Sequence, residues 1–324
     1  MQKSNETNKV QWADFCEKNY VPLYFRPWWM DCVCGPANWD VCLSLDKGGN
    51  VEGALVYHTS RYWGLPVIKM PPLTAYSGLW LNYPSDDQRP SSKMAFTKRV
   101  CENLIQQLPA FAFFYQQWHP EISNWLPFYW KGFRQTTLYT YQLPLQCCEE
   151  DMLQSMNKSS RKRIRKEAER LIVKTTTDVS TVFSLYESSL KNNHETPGFS
   201  LDLFKVLEKE LASRHQGKIL EASDKSGMIH AVQYLIWDEQ TTYALLGGIN
   251  TNCRKTSGAL YLLFWDAISN NYGSSNLLDF EGSILEGVEE SIRSFGGTLT
   301  PHFKITKAAN RFVQTASLLF NKGI

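Results

Sequence analysis

The stretch from Thr241 to Phe280 is the part of this 324-residue sequence that admits the fewest folds. Thr241–Asn250 reads as a strand, Gly258–Asn271 as a helix with apolar residues at helical spacing, and Asn276–Phe280 as a second strand. A strand that returns through a helix lies parallel to the one it left, and a sheet built that way needs helices packed on it. The fold class is therefore α/β (α+β).

Within this unit the first strand ends at Leu246-Gly247-Gly248, where two missing Cβ atoms let a ligand approach the backbone. The loop Arg254-Lys255-Thr256-Ser257-Gly258-Ala259 then opens the helix. Cationic side chains, small residues at the turn and the unsatisfied N–H groups of a first helical turn together make an anion site, and a pyrophosphate fits it. The returning strand ends at Asp279, Glu281, Gly282 and Ser283. A splayed strand pair with a phosphate-binding turn between its members can hold a pantetheine arm and present its thioester.

The same order of elements occurs twice. In the first half, Gln11–Asn19, Leu23–Cys34 and Lys93–Leu108 are expected helices. Trp39–Asp46 and Val51–Ser60 form an expected hairpin through Lys47-Gly48-Gly49-Asn50, with Gly78–Leu81 and Ala110–Gln116 as further strands. In the second half, Met152–Leu171, Val179–Lys191, Leu201–Arg214 and Leu285–Phe295 read as helices, with Lys218–Ala222 and His230–Trp237 as strands. Helices, an antiparallel meander and a strand–helix–strand crossover thus repeat without sequence repetition. Nine of the eleven tryptophans precede residue 151, which places a domain boundary near 150, between 1–150 and 151–324.

Hydrophobic residues at 43% and charged residues at 20% belong to a globular chain. No apolar run approaches the roughly 18 residues of a membrane helix, and MQKSNETNKVQW has no signal-like apolar core. The eight cysteines show neither a disulfide framework nor paired CxxC spacing, which with the absent export signal points to a cytoplasmic protein. No HxxxH, DxD or GxSxG pattern occurs, so neither a metal site nor a serine nucleophile is expected.

The formal net charge of +2 conceals a basic segment: Asn157–Lys174 holds eight Lys or Arg against Glu167 and Glu169. Anion binding is therefore local rather than spread over the surface. Met152, Met156, Ile164, Ala168 and Leu171 recur near helical spacing, so one face is buried. Lys158, Arg161 and Arg165 either hold an anionic substrate or a tRNA phosphate, or form the solvated face of that helix.

RKTSGA resembles the GNAT acetyl-CoA signature, in which Arg or Gln precedes a Gly-x-Gly/Ala turn. Gly247-Gly248, Tyr261-Leu262-Leu263-Phe264-Trp265, Asp279-Phe280-Glu281-Gly282 and Phe295-Gly296-Gly297 are similar, in that order, to landmarks of the Fem-type peptidyltransferases and their acyl-CoA relatives. The segment Met156–Lys166 is similar to a Lys-Ser-x-Arg-x-x-Ile-Arg-Lys helix of that family, and Pro27-Trp28-Trp29 and Pro71-Pro72-Leu73-Thr74 resemble its first-domain landmarks. The resemblance implies two tandem GNAT-like (acyl-CoA N-acyltransferase) domains, each a mixed, mostly antiparallel sheet flanked by helices. It also implies a last helix, Ala308–Phe320, that can pack back on the first domain.

The function so implied is transfer of an acyl group from acyl-CoA or acetyl-CoA to an amine of a small molecule or cell-envelope precursor. The Fem-like alternative uses aminoacyl-tRNA, and a non-catalytic binding protein of the same fold is a third reading. Fem peptidyltransferases usually carry Phe-Lys three residues before Phe-Gly-Gly, whereas this chain has Ser291-Ile292. Isoleucine neither stabilises an oxyanion nor contacts a tRNA end, so acyl outranks aminoacyl.

In a GNAT-type reaction the amine attacks the thioester directly. The protein must take a proton from the ammonium, polarise the carbonyl and protonate the leaving thiolate. Leu245–Ile249 is expected to offer a backbone N–H to the carbonyl. Glu281 is the candidate general base, with a solvated helix-capping carboxylate as the alternative. Asp279 either satisfies loop amides or orients the amine. Tyr272 either donates to the thiolate or packs. In the first half the aromatics are chiefly core, with Trp28 and Trp63 as candidates to stack on the substrate.

Overall fold

Trp39–Leu45 and Val51–Tyr62 pair because the turn between them caps itself. Asp46 Oδ1 accepts the amides of Gly48 at 2.7 Å and Asn50 at 2.9 Å, and Gly49 takes φ 84°. The computed structural model describes residues 2–84, 89–145, 149–191, 194–253, 258–282 and 286–310. The expected helix at Ala308–Phe320 lies almost wholly outside them, as do Cys147 and Cys148.

In chain order the elements begin with α1 (Gln2–Lys18), α2 (Pro27–Cys34), β1 (Trp39–Leu45), β2 (Val51–Tyr62), β3 (Leu65–Lys69) and β4 (Gly78–Leu81). They continue with α3 (Pro90–Gln107), β5 (Phe113–Gln117), α4 (Leu126–Tyr129), β6 (Arg134–Pro144), α5 (Glu149–Ser155), α6 (Lys158–Ala168) and β7 (Leu171–Thr176). The remainder are α7 (Val179–Lys191), α8 (Leu201–Ser213), β8 (Gly217–Asp224), β9 (Ile229–Trp237), β10 (Thr241–Ile249), α9 (Ala259–Asn270), β11 (Leu277–Asp279), α10 (Glu286–Arg293) and β12 (Thr298–Ala308).

Two compact units result: Met1–Leu138 together with Pro301–Ile324, and Tyr139–Thr300. The first is therefore discontinuous in sequence, and its division from the second falls at 138/139 and 300/301 where tryptophan usage alone suggests 150.

In the first unit the strands run β1-β2-β3-β5-β12, with β4 also on β2. All pair antiparallel except β3 and β5, which run parallel through Val67↔Phe113 and Ile68↔Phe114 with α3 between them in sequence. Leu55, Leu79, Val100, Leu104, Phe114, Trp118, Phe128 and Ile305 fill its core. Trp12 and Trp29 are also fully buried, with indole N–H groups donating to Phe25 O at 3.0 Å and Thr74 Oγ1 at 2.9 Å.

The second unit repeats the plan in the order β6-β11-β10-β9-β8-β7, with one parallel pair, β10 and β11, joined through α9. Both units are thus mixed, mostly antiparallel sheets flanked by helices. The apolar face of α9 (Ala259, Leu262, Leu263, Ala267, Ile268) meets Leu220, Ala222, Ala231 and Leu235 of the sheet. Where one helix is expected over Met152–Leu171, Asn157 takes extended backbone (φ −60°, ψ 143°) and separates α5 from α6, and Leu171 begins β7. Among the described residues no helix is long and apolar enough to cross a membrane.

Candidate active site

Strand β10 carries one extra residue, because its pairing with β9 passes from Tyr243↔Ile236 to Leu246↔Tyr234. Such a bulge bends a strand and raises its twist. The parallel partner β11 accompanies β10 only from Thr241↔Leu277 to Tyr243↔Asp279. From Ala244 to Ile249, β10 keeps β9 on one edge and has lost β11 on the other. Asn250 N donates to His230 O at 2.9 Å, so the alternation of an antiparallel ladder turns the N–H and C=O of Gly247 and Ile249 away from β9. At Ile249 both groups are taken by Ser189 Oγ of α7, at 2.8 Å and 3.2 Å. Gly247 faces the edge that β11 has left.

The glycines here are required by packing. A Cβ on Gly247 would lie 2.7 Å from Oε1 of buried Gln233, whose Nε2 donates to Leu246 O at 3.0 Å. Buried Leu246 pairs with Tyr234. A Cβ on Gly248 would lie 2.7 Å from the backbone of Leu185 and Tyr186, so glycine lets α7 rest directly on β10. At Gly258 a Cβ would overlap Cγ and Cδ of Arg163. Protein, rather than an approaching ligand, occupies the space these missing Cβ atoms leave.

Arg163 is a residue that sequence spacing did not single out. Its guanidinium lies 4.4 Å from the Tyr261 ring centroid on the first turn of α9. Gly258 caps that helix without a side-chain hydrogen bond, and Ala259 is buried. A guanidinium beside a helix N-terminus favours an anion there. Arg254, Lys255, Thr256 and Ser257 lie outside the described residues, as does Ser283.

At the end of β11 two carboxylates have opposite surroundings. Asp279 is fully buried; Thr140 Oγ1 donates to it at 2.6 Å, Gln142 Nε2 at 3.0 Å and the Glu281 amide at 2.7 Å. Its oxygens are occupied in holding the turn. Glu281 is half-buried at φ 58°, followed by Gly282 at φ 68°, where a Cβ would overlap the Tyr139 carbonyl. The Glu281 carboxylate acts on Tyr186 of α7: burial, then Glu195 and Glu281, push the Tyr186 hydroxyl above its ordinary range. Tyr186 itself belongs to the α7 backbone that lies over Gly248, and Glu281 is near enough for its charge to be felt there. Nothing in the sequence pattern of Val179–Lys191 marks Tyr186, since only the close approach at Gly248 brings it there.

Tyr272 lies elsewhere. It follows α9, whose C-terminus is closed by Asn271 in the left-handed region, and its hydroxyl donates to Asp266 Oδ2 at 2.7 Å. Twelve residues of helix separate it from Gly258, about 18 Å at 1.5 Å per residue. Burial and the bond to Asp266 push its hydroxyl upward, and that bond already commits its proton at the end of α9 far from Gly258.

On α6, Ser160, Ile164 and Glu167 face inward, while Lys158 and Arg165 are exposed and Arg161 is half-buried, donating to Leu153 O at 3.2 Å. In the first unit Trp28 is half-buried against Trp29, with ring centroids 5.8 Å apart. Trp63 is 72% exposed at φ 49° in the β2–β3 turn, stacked on Tyr62.

Residues 154–273 match the sequence model of the acetyltransferase (GNAT) domain. This segment of the chain is a GNAT domain. It spans α6, the bulged strand β10 and α9; β11 and Glu281 follow directly in the same unit. Solved structures share the GNAT domain's fold. The structure of FemX has a TM-score of 0.62 at 10% identity, over 93% of this chain and 95% of that one. A tandem GNAT protein from the clavulanic acid biosynthesis pathway gives 0.53 at 12% identity, over 94% and 96%. The C-terminal domain of a lysylphosphatidylglycerol synthetase from Agrobacterium fabrum gives 0.51 at 11% identity, over 96% and 95%. At these identities the likeness is one of fold. No curated protein sequence matches the chain significantly.

Proposed function

We propose that the second unit transfers an acyl group from acyl-CoA to an amine of a small molecule or cell-envelope precursor, drawing on a cytoplasmic pool. One observation carries the reading: within a GNAT domain, β10 turns the Gly247 amide toward the edge that β11 leaves after Tyr243. That amide is a fixed donor for a thioester carbonyl. The first turn of α9, Arg163 and the loop Arg254–Ser257 would hold the pyrophosphate.

The amine nitrogen attacks the carbonyl carbon, the C–N bond forms and the C–S bond breaks. Glu281 takes the ammonium proton directly or through water, and the Tyr186 hydroxyl replaces Tyr272 as the donor to the leaving sulfur. The second N–H proton, lost as the amide forms, restores the Tyr186 hydroxyl, and Glu281 gives its proton to solvent. Asp279 holds the turn that presents Glu281.

Calorimetry with acetyl-CoA and longer acyl-CoAs, followed by thiol release with a panel of amines, tests this. Binding in the micromolar range and amine-dependent thiol release are expected; no heat with any acyl-CoA overturns the proposal. Gly258→Glu is a poor probe, because it would dislodge Arg163.

The exposed cations of α6 support a second reading, aminoacyl transfer from tRNA. It expects tRNA affinity that falls steeply with salt and is lost on reversing Lys158 and Arg165. A flat salt response removes it.

A further inference from the structure

Tyr272 belongs to a different feature of the same unit. A cleft of about 440 Å³ lies where the end of β7, the start of β8 and the C-terminal half of α8 meet the residue that follows α9. Thr176, Glu208, His215, Lys218, Trp237 and Tyr272 are among its walls. It adjoins the end of β10 at which Thr242 pairs with Trp237, whereas Gly247 and Gly248 sit at the other end of that strand. It is thus a separate cavity from the acyl-transfer locality, and it does not depend on the function proposed there.

Two opposite charges face this cleft without meeting. Lys218 Nζ sits 3.7 Å from the Tyr272 ring centroid and makes no ion pair among the described residues. Glu208 is half-buried on α8, likewise without a cation among the described residues, and burial alone pushes its carboxyl upward. An ammonium and a carboxylate held in one cavity, yet too far apart to pair, match the two ends of a molecule carrying the complementary charges. The apolar part of the wall comes from aromatic rings: Trp237 half-buried and Tyr272 held by its bond to Asp266. Thr176 adds a hydroxyl, and exposed His215 marks the open rim.

We infer that this cleft is a binding site for a small zwitterion of amino-acid or dipeptide size. Its ammonium is held by Glu208, its carboxylate by Lys218 and its side chain by Trp237 and Tyr272. Ligand bound there touches the residue next to the C-terminus of α9, the helix whose N-terminus lies at Arg163.

The test uses the whole chain labelled with 5-fluorotryptophan, the Trp237 resonance being assigned by its loss in Trp237→Phe. L-phenylalanine is the probe. Phenethylamine and 3-phenylpropionate each keep the ring and remove one charge. A saturable shift of the Trp237 signal with L-phenylalanine is expected, with both controls at least about tenfold weaker. Glu208→Gln and Lys218→Met should each weaken L-phenylalanine while leaving the other tryptophan signals in place. No saturable shift, or equal binding of all three compounds, overturns the proposal; the unmutated chain alone decides this if a variant does not fold.

Discussion

Asp279 and Glu281 stand two residues apart and do opposite things. Three donors, from Thr140, Gln142 and the Glu281 amide, converge on buried Asp279. Asp279→Ala would orphan all three and should lower stability by about 3 kcal/mol, read as a shift in urea midpoint at unchanged slope. Under the proposed mechanism Glu281→Gln removes only the base: kcat for thiol release should fall by about 100-fold while the urea midpoint stays. Equal effects on folding from both variants would show that Glu281 is structural too.

A second pair of side chains sets a pH limit on stability. Burial pushes both His119 and His302 down to about 4, and His302 Nδ1 has no partner among the described residues. Unfolded, each binds a proton near the ordinary histidine value of 6.5, so between 6.5 and 4 the unfolded chain holds more protons than the folded one. Stability is full above pH 6.5 and falls as pH drops towards 4. Denaturation midpoints at pH 7 and pH 5 should differ, and less so in His119→Gln and His302→Gln. The sequence shows both carboxylates and both histidines. It does not show their surroundings, because the partners of Asp279 come from β6, more than a hundred residues earlier.

Among the elements, the strand–helix–strand unit is legible because each part carries its own signal: β-branched and aromatic residues, then helical spacing, then a short apolar strand. What was not legible is informative. β6 and β12 carry no comparable signal: β12 contains Pro301, and much of β6 is exposed or half-buried. β7 is hidden in the sequence because the helical pattern before it runs into Leu171 without a glycine or proline to stop it. Tyr186 carries no mark in the sequence because its position depends on α7 lying against Gly248. Gly248→Ala should therefore act on an element rather than a site, lifting α7 from β10 and costing about 1–3 kcal/mol. The Ser189 bonds and the donor role proposed for Tyr186 should weaken together, and hydrogen exchange at the Ile249 amide would register the first. A helix cap gives a smaller effect. Ser200 Oγ accepts from Leu203 N at 3.2 Å, so Ser200→Ala should cost about 1 kcal/mol in a thermal melt.

For the whole molecule, the consequential fact is that the first unit is completed by the last described strand. β12 pairs with β5 from Lys304↔Gln117 to Ala308↔Phe113, and Ile305 is fully buried. Ending the chain at Thr300 should therefore abolish cooperative unfolding of the first unit, while Tyr139–Thr300 keeps any acyl-CoA affinity. Loss of that affinity as well would show that the units do not fold separately.

A ribosome makes this chain from one end. Residues 1–138 emerge first but wait for their final strand until the 162 residues of the second unit have been made. The usual order of co-translational folding is thereby inverted, and the inserted unit can finish before the one that surrounds it in sequence. During that interval β5 offers an unpaired edge with Phe113, Phe114 and Tyr115 in it, the kind of edge other nascent strands add to. Synthesis rate and chaperone supply, more than final stability, should govern how much of this protein reaches its folded form.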